Sequence, residues 1–109
     1  MRRGDLVTVA APGDYGKPRP AVVIQSDVIN RADPDSVILA LMTGTVRDAP
    51  LLRLTVDPTS ESGLQKPSQV MVDKLITARL EKIGKPFGRL SDQALLELNR
   101  LLALVVGLA

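Results

Sequence analysis

The chain has 109 residues, 45% hydrophobic and 24% charged, and its 14 Lys and Arg against 12 Asp and Glu give a net charge of +2. A chain of this size closes one hydrophobic core, so residues 1–109 are read as a single domain. With no cysteine and no histidine, disulfides, the usual zinc ligands and every nucleophile–histidine pairing are excluded.

Two aromatic residues, Tyr15 and Phe87, are too few for the base-stacking platforms of RRM-type or OB-fold domains. The opening Met-Arg-Arg-Gly-Asp lacks the apolar stretch of a secretory leader. Asp92, Glu97, Asn99 and Arg100 interrupt the Leu-rich tail, which falls short of the run of about 20 apolar residues that spans a bilayer. A cytoplasmic location away from membranes is expected.

In chain order, Leu6–Ala10 reads as a first strand and Ala11–Pro18 as a Gly- and Pro-rich loop. Pro20–Ser26, nearly continuous in apolar residues, reads as a central second strand. A helical turn is expected around Val28–Arg31, and a third, apolar strand over Ser36–Thr43. Leu52, Leu54 and Val56 alternate with Arg53 and Thr55, the period of a half-buried fourth strand. Ser68–Val72 and Leu75–Ala78 read as two short strands separated by Asp73-Lys74, and Gly84–Gly88 as a loop.

The last element is a helix. Ser91 is its N-cap, Asp92 suits the positive N-terminus, and Leu95, Leu96, Leu98, Leu102, Val105 and Val106 give it an apolar face for the sheet or for a second copy of the chain. Short strands followed by one helix predict a mainly β fold, a small curved and partly open barrel.

The segment Gly16-Lys17-Pro18-Arg19-Pro20-Ala21-Val22-Val23-Ile24-Gln25 carries the most chemistry. Prolines on both sides of Arg19 restrict the backbone and bias it away from helix. A permanently charged guanidinium is thereby displayed beside a rigid strand, which suits an anion site. Taken alone, it reads better as a solvated cation at a loop–strand junction, so the case rests on what accompanies it.

Several pieces in order resemble the MazF/PemK (Kid) family of toxin endoribonucleases: Arg3-Gly4-Asp5-Leu6, the Gly16–Gln25 segment, the third strand ending in Thr43, Gly63-Leu64, and Val70–Thr77 around Asp73. Gly88-Arg89-Leu90-Ser91 before the final helix completes the set. The resemblance runs from about residue 3 to the C-terminus. It implies an SH3-like, CcdB/MazF-type curved barrel with a C-terminal helix, usually a homodimer. It also implies metal-independent, sequence-specific cleavage of single-stranded RNA with no cofactor, neutralised by a cognate antitoxin, as in type II toxin–antitoxin systems.

By that resemblance Arg19 and Thr43 are the catalytic pair, with Asp73 as a carboxylate assistant. Arg19 offers a planar fork matching two phosphate oxygens and Thr43 a neutral donor. Arginine, with a pKa above about 12, is a poor proton shuttle, so Arg19 is expected to act by electrostatics and the enzyme to be slow. Thr43 reads equally as a strand-end hydroxyl bonded to nearby backbone, and Asp73-Lys74 as a solvated turn pair. The Kid-like branch carries an arginine two residues before the acid, where this chain has Met71.

RNA contacts are expected from Tyr15, Lys17, Gln25, Ser26, Arg47 and Lys66, with Tyr15 stacking a base. Asp14-Tyr15-Gly16-Lys17 forms the substrate loop in this reading. A competing reading is a non-catalytic, CcdB-like toxin that binds DNA gyrase, although the tail Val105–Ala109 lacks a terminal aromatic. A third, an SH3-like adaptor, needs an aromatic-lined groove that two aromatics scarcely build.

Overall fold

Consecutive apolar residues in a strand mean that both faces are covered, and that holds for β1 (Asp5–Ala10) and β2 (Pro18–Val23). Leu6 and Val22 join one core cluster while Val7, Ala21 and Val23 join a second, all of them fully buried. The computed structural model describes every residue except Ala11, Pro12 and Asp14, so part of the expected first loop lies outside the described residues.

After β2 come a short helix α1 (Asp27–Asn30), β3 (Ser36–Thr43), β4 (Arg53–Val56), β5 (Ser68–Arg79), a 3-10 turn (Leu80–Lys82), β6 (Gly88–Arg89) and α2 (Asp92–Val105). The strands form one antiparallel sheet in the order β4-β5-β3-β2-β1-β6. The sheet curls because the chain after β5 returns along the free edge of β1. Val9 bridges Ile83, Gly84 N donates to Thr8 O at 2.8 Å, and Phe87 N donates to Leu6 O at 2.9 Å. The result is the mainly β, curved barrel with a C-terminal helix that the sequence predicted.

The two clusters lie on opposite faces of the sheet. One, built around Val9, Leu39 and Ala78, fills the curled sheet. The other, built around Met42, Leu54 and Val70, lies under α2 through Leu98 and Leu101. Truncating either of these fully buried leucines to alanine removes about 2–5 kcal/mol. Ser91 caps α2 by accepting from Ala94 N at 3.1 Å.

Four expectations are corrected. β2 starts at Pro18 and ends at Val23, because Ile24 N and Gln25 N both donate to Ile38 O and the chain leaves the ladder there. Leu52 belongs to the turn before β4 and is 41% exposed. In α2, Leu96 is exposed, as is Val106 at its C-cap, and Leu101, not singled out in the sequence, is buried; at 3.6 residues per turn Leu101 shares the face of Leu98 and Leu96 does not.

The fourth concerns β5, which is one strand of 12 residues rather than two. Its register against β3 jumps from Ala40↔Leu75 to Met42↔Val70. Five steps on β5 (75 − 70) oppose two on β3 (42 − 40), so three extra residues form a wide bulge opposite Leu41. Asp73 and Lys74 sit in that bulge.

Candidate active site

Proline placement decides the geometry at the start of β2. The β1–β2 ladder includes Thr8↔Pro20 and Ala10↔Pro18. Proline has no N–H, so β2's donors toward β1 come from the alternate residues, and the two proline nitrogens face β3. The β2–β3 ladder accordingly runs Val23↔Leu39, Val22↔Ala40, Ala21↔Leu41 and then stops. Two residues further in the same register, Arg19 (21 − 2) stands level with Thr43 (41 + 2) across an unzipped strand end. Side chains alternate, so Arg19 shares the face of Ala21, and Thr43 that of Leu41.

The same level continues across the sheet, through Thr43↔Gln69 and Gln69↔Thr55. Arg19, Thr43, Gln69 and Thr55 thus form one polar row over β2, β3, β5 and β4. Their chain neighbours Met42, Val70 and Leu54 point the other way, into the core under α2. Thr43 Oγ1 accepts from Thr45 N at 3.1 Å, which ties down the strand end and leaves the hydroxyl proton to be donated.

Gln69, only 3% exposed, is the anchor of the row. Its Nε2 donates to Arg47 O at 2.9 Å and to Thr55 Oγ1 at 3.1 Å, and its Oε1 accepts from Arg47 N at 3.0 Å. One amide therefore satisfies both the N–H and the C=O of Arg47 and ties that residue to β5.

Cations collect around this end. A Cβ on Gly44 would lie 2.7 Å from Lys66 Nζ, so that ammonium rests over the residue following Thr43. Arg47 and Arg53 border a cleft of about 310 Å³ together with Gln69, Asp48 and Glu97. Arg53 is also level with Met71 on β5, so a guanidinium from β4 stands beside the position where the sequence has methionine. Arg19 and Lys17 are exposed on the β2 side.

Tyr15 is fully exposed, in a left-handed conformation (φ +53°) between Gly13 (φ +85°) and Gly16 (φ +77°). With Thr77, Arg79 and Lys82 it borders a cleft of about 620 Å³. Asp14, the first residue of the expected substrate loop, lies outside the described residues.

Gln25 and Ser26 lie beyond the opposite end of β2 from Arg19. Gln25 Oε1 accepts from Ile38 N at 3.2 Å and its Nε2 donates to Asn30 Oδ1 at 3.1 Å. Ser26 caps α1 by accepting from Val28 N at 3.2 Å. Asp27 accepts from Arg3 N at 2.8 Å and from Asn30 Nδ2 at 3.1 Å, and these bonds, that from Arg3 foremost, hold its carboxyl below the usual 3.8. Asp73 is exposed in the β5 bulge, across β3 from Ala21.

A cleft of about 810 Å³ lies between β4, the 57–62 loop and α2, and borders none of Arg19, Thr43 or Asp73. Its polar groups include the exposed Glu97–Arg100 pair, whose hydrogen bond holds the Glu97 carboxyl below its usual value.

Reasoning from sequence did not single out Gln69 and Arg53, which the strand register adds to the candidate site. The available signals were an amide immediately before the apolar run Val70–Val72 and an arginine on the polar phase of the β4 alternation.

Comparison with known proteins agrees with this architecture. The family profile described as "PemK-like, MazF-like toxin of type II toxin-antitoxin system" matches residues 2–106. A probable endoribonuclease MazF of Mycolicibacterium smegmatis is 39% identical, covering 100% of this chain and 99% of that protein. Among solved structures, the Mycobacterium tuberculosis toxin MazF-mt6 shares the fold at a TM-score of 0.80 and 23% identity, over 94% of this chain and 96% of that one. A mycobacterial endoribonuclease in complex with its cognate antitoxin superposes at 0.81 and 21% identity, over 100% and 97%.

Barrel, helix and profile define a toxin of the MazF type. The chain belongs to the PemK-like, MazF-like toxin family of type II toxin–antitoxin systems.

Proposed function

We propose that this toxin cleaves single-stranded RNA, sequence-selectively and without a metal, by attack of a 2′-OH on the adjacent phosphorus. Endoribonuclease activity is that of its family. The observation that carries the finer reading is the shared level of Arg19 and Thr43 at the end where the β2–β3 ladder stops.

In this reading Arg19 faces the scissile phosphate and stabilises the charge that builds on its non-bridging oxygens, the largest contribution available without a histidine. The Thr43 hydroxyl donates to a phosphate oxygen or to the attacking 2′-OH. Lys66 and Arg47 hold neighbouring phosphates, Lys17 extends that track along β2, and Tyr15 stacks a base. Asp73 assists from the bulge on β5. Gln25 and Ser26, spent on local bonds at the far end of β2, are left out of the site.

A metal-free mechanism accords with a chain that has neither histidine nor cysteine. The partners are an RNA substrate, an acidic antitoxin segment that folds on binding, and a second copy of the chain. An antitoxin complex is known for a mycobacterial endoribonuclease of the same fold. No helix among the described residues is long and apolar enough to cross a membrane, and we place the toxin in the cytoplasm. The gyrase-binding alternative is not favoured, because the relatives named above are endoribonucleases.

The test is primer extension on a defined long RNA treated with purified toxin in EDTA. Wild type should cut at a short recurrent sequence and leave 2′,3′-cyclic phosphate ends, and Arg19→Ala should not. Cutting that needs added metal, or that survives in Arg19→Ala, would overturn the mechanism.

A further inference from the structure

We propose that Gln69 is a positioning residue for RNA binding, acting through Arg47. The inference rests on the site reading above and extends it to a residue that has no expected contact with RNA. Gln69 stands between Thr43 and Thr55 in the polar row, yet it is 3% exposed and its amide is spent on the Arg47 peptide and the Thr55 hydroxyl.

A side chain that grips both the N–H and the C=O of one residue works like an added rung of β-ladder. Thr43 is held by its own ladder pairing and by Thr45 N, so the rung acts further along, setting where the exposed Arg47 sits after residues 44–46 leave β3. An amide suits this task because it donates and accepts at once. A carboxylate accepts only, and an apolar isostere does neither. Glutamine at a position flanked by Ser68 and Val70 is therefore a specificity device for the neighbouring loop more than a packing choice.

The experiment measures kcat and KM on a short RNA containing the cleavage site, with melting temperatures of each variant. Gln69→Leu should raise KM about 5–10-fold while kcat stays within about twofold, since Arg19 and Thr43 remain in place. Combined with Arg47→Ala it should add little to the effect of Arg47→Ala alone, because both act through the same contact.

Gln69→Glu supplies a readout that a purely structural role would not move. Its carboxylate faces the Arg47 carbonyl and cannot donate until protonated. Its KM, relative to wild type at each pH, should therefore fall as pH is lowered from about 7.5 to about 5.5, whereas that of Gln69→Leu stays flat. This arm also stands by itself if Gln69→Leu does not fold.

An unchanged KM in a folded Gln69→Leu, additivity with Arg47→Ala, or a flat KM profile in Gln69→Glu would overturn the proposal. Full activity in Arg19→Ala would overturn the site reading instead, and so separates the two failures.

Discussion

The two ends of β2 carry similar polar residues and use them in opposite ways. At the far end, Gln25, Ser26 and Asp27 turn inward on the chain: they bond Ile38, cap α1 and tie down Arg3. At the near end two prolines stop the β2–β3 ladder and leave Arg19 exposed at the level of Thr43. The difference teaches that strand pairing, more than residue type, decides which end of a strand lies open at the surface.

The sharpest break of this contrast is at the near end. Arg19→Ala should lower kcat about 10²–10³-fold with little change in melting temperature, as expected for loss of one preorganised charge stabiliser. A stability loss that explains the lost activity would sink the contrast.

Thr43→Val keeps the shape and removes a single neutral donor, so kcat should drop about tenfold. Rescue by Thr43→Ser would confirm that the hydroxyl, and not the β-branch, is what counts.

The far end should behave the other way round. Gln25→Ala strips Ile38 N of its acceptor and Ser26→Ala uncaps α1. Each should cost about 1 kcal/mol in denaturant melts while kcat/KM stays within about twofold. RNA affinity that falls in either variant without a stability loss would restore these residues to the site.

The smallest effect is on acid stability. The Asp27 carboxyl is held below its usual 3.8 by the bonds from Arg3 and Asn30. A depressed folded-state pKa gives stability that is present above the unfolded value and lost as pH falls through the folded one. The advantage of wild type over Asp27→Asn should therefore be constant near neutrality and shrink below pH 3.8. An advantage that persists under more acid conditions would show that charge plays no part.

Much of this was legible along the chain. Ser36–Thr43 reads as a strand from its apolar run, and Ser91 as a cap from its chemistry; both stand in the structure within those bounds. The start of β2 was harder to place, since a proline within a central strand normally argues against it. Here the missing donors face the end of β3 where the ladder closes anyway. Asp73-Lys74 reads as a break between strands because a bulge and a turn carry the same exposed polar pair.

By itself the sequence determined the central, apolar character of β2, the capped helix and the cation between two prolines, since each follows from local periodicity or backbone chemistry. Only the tertiary structure decided that Arg19 stands level with Thr43, that Gln69 grips Arg47, and that Gln25 and Ser26 are already spent. Those relations depend on which strands pair and in what register, a choice made by the packing of distant residues around two cores and by no short stretch of chain.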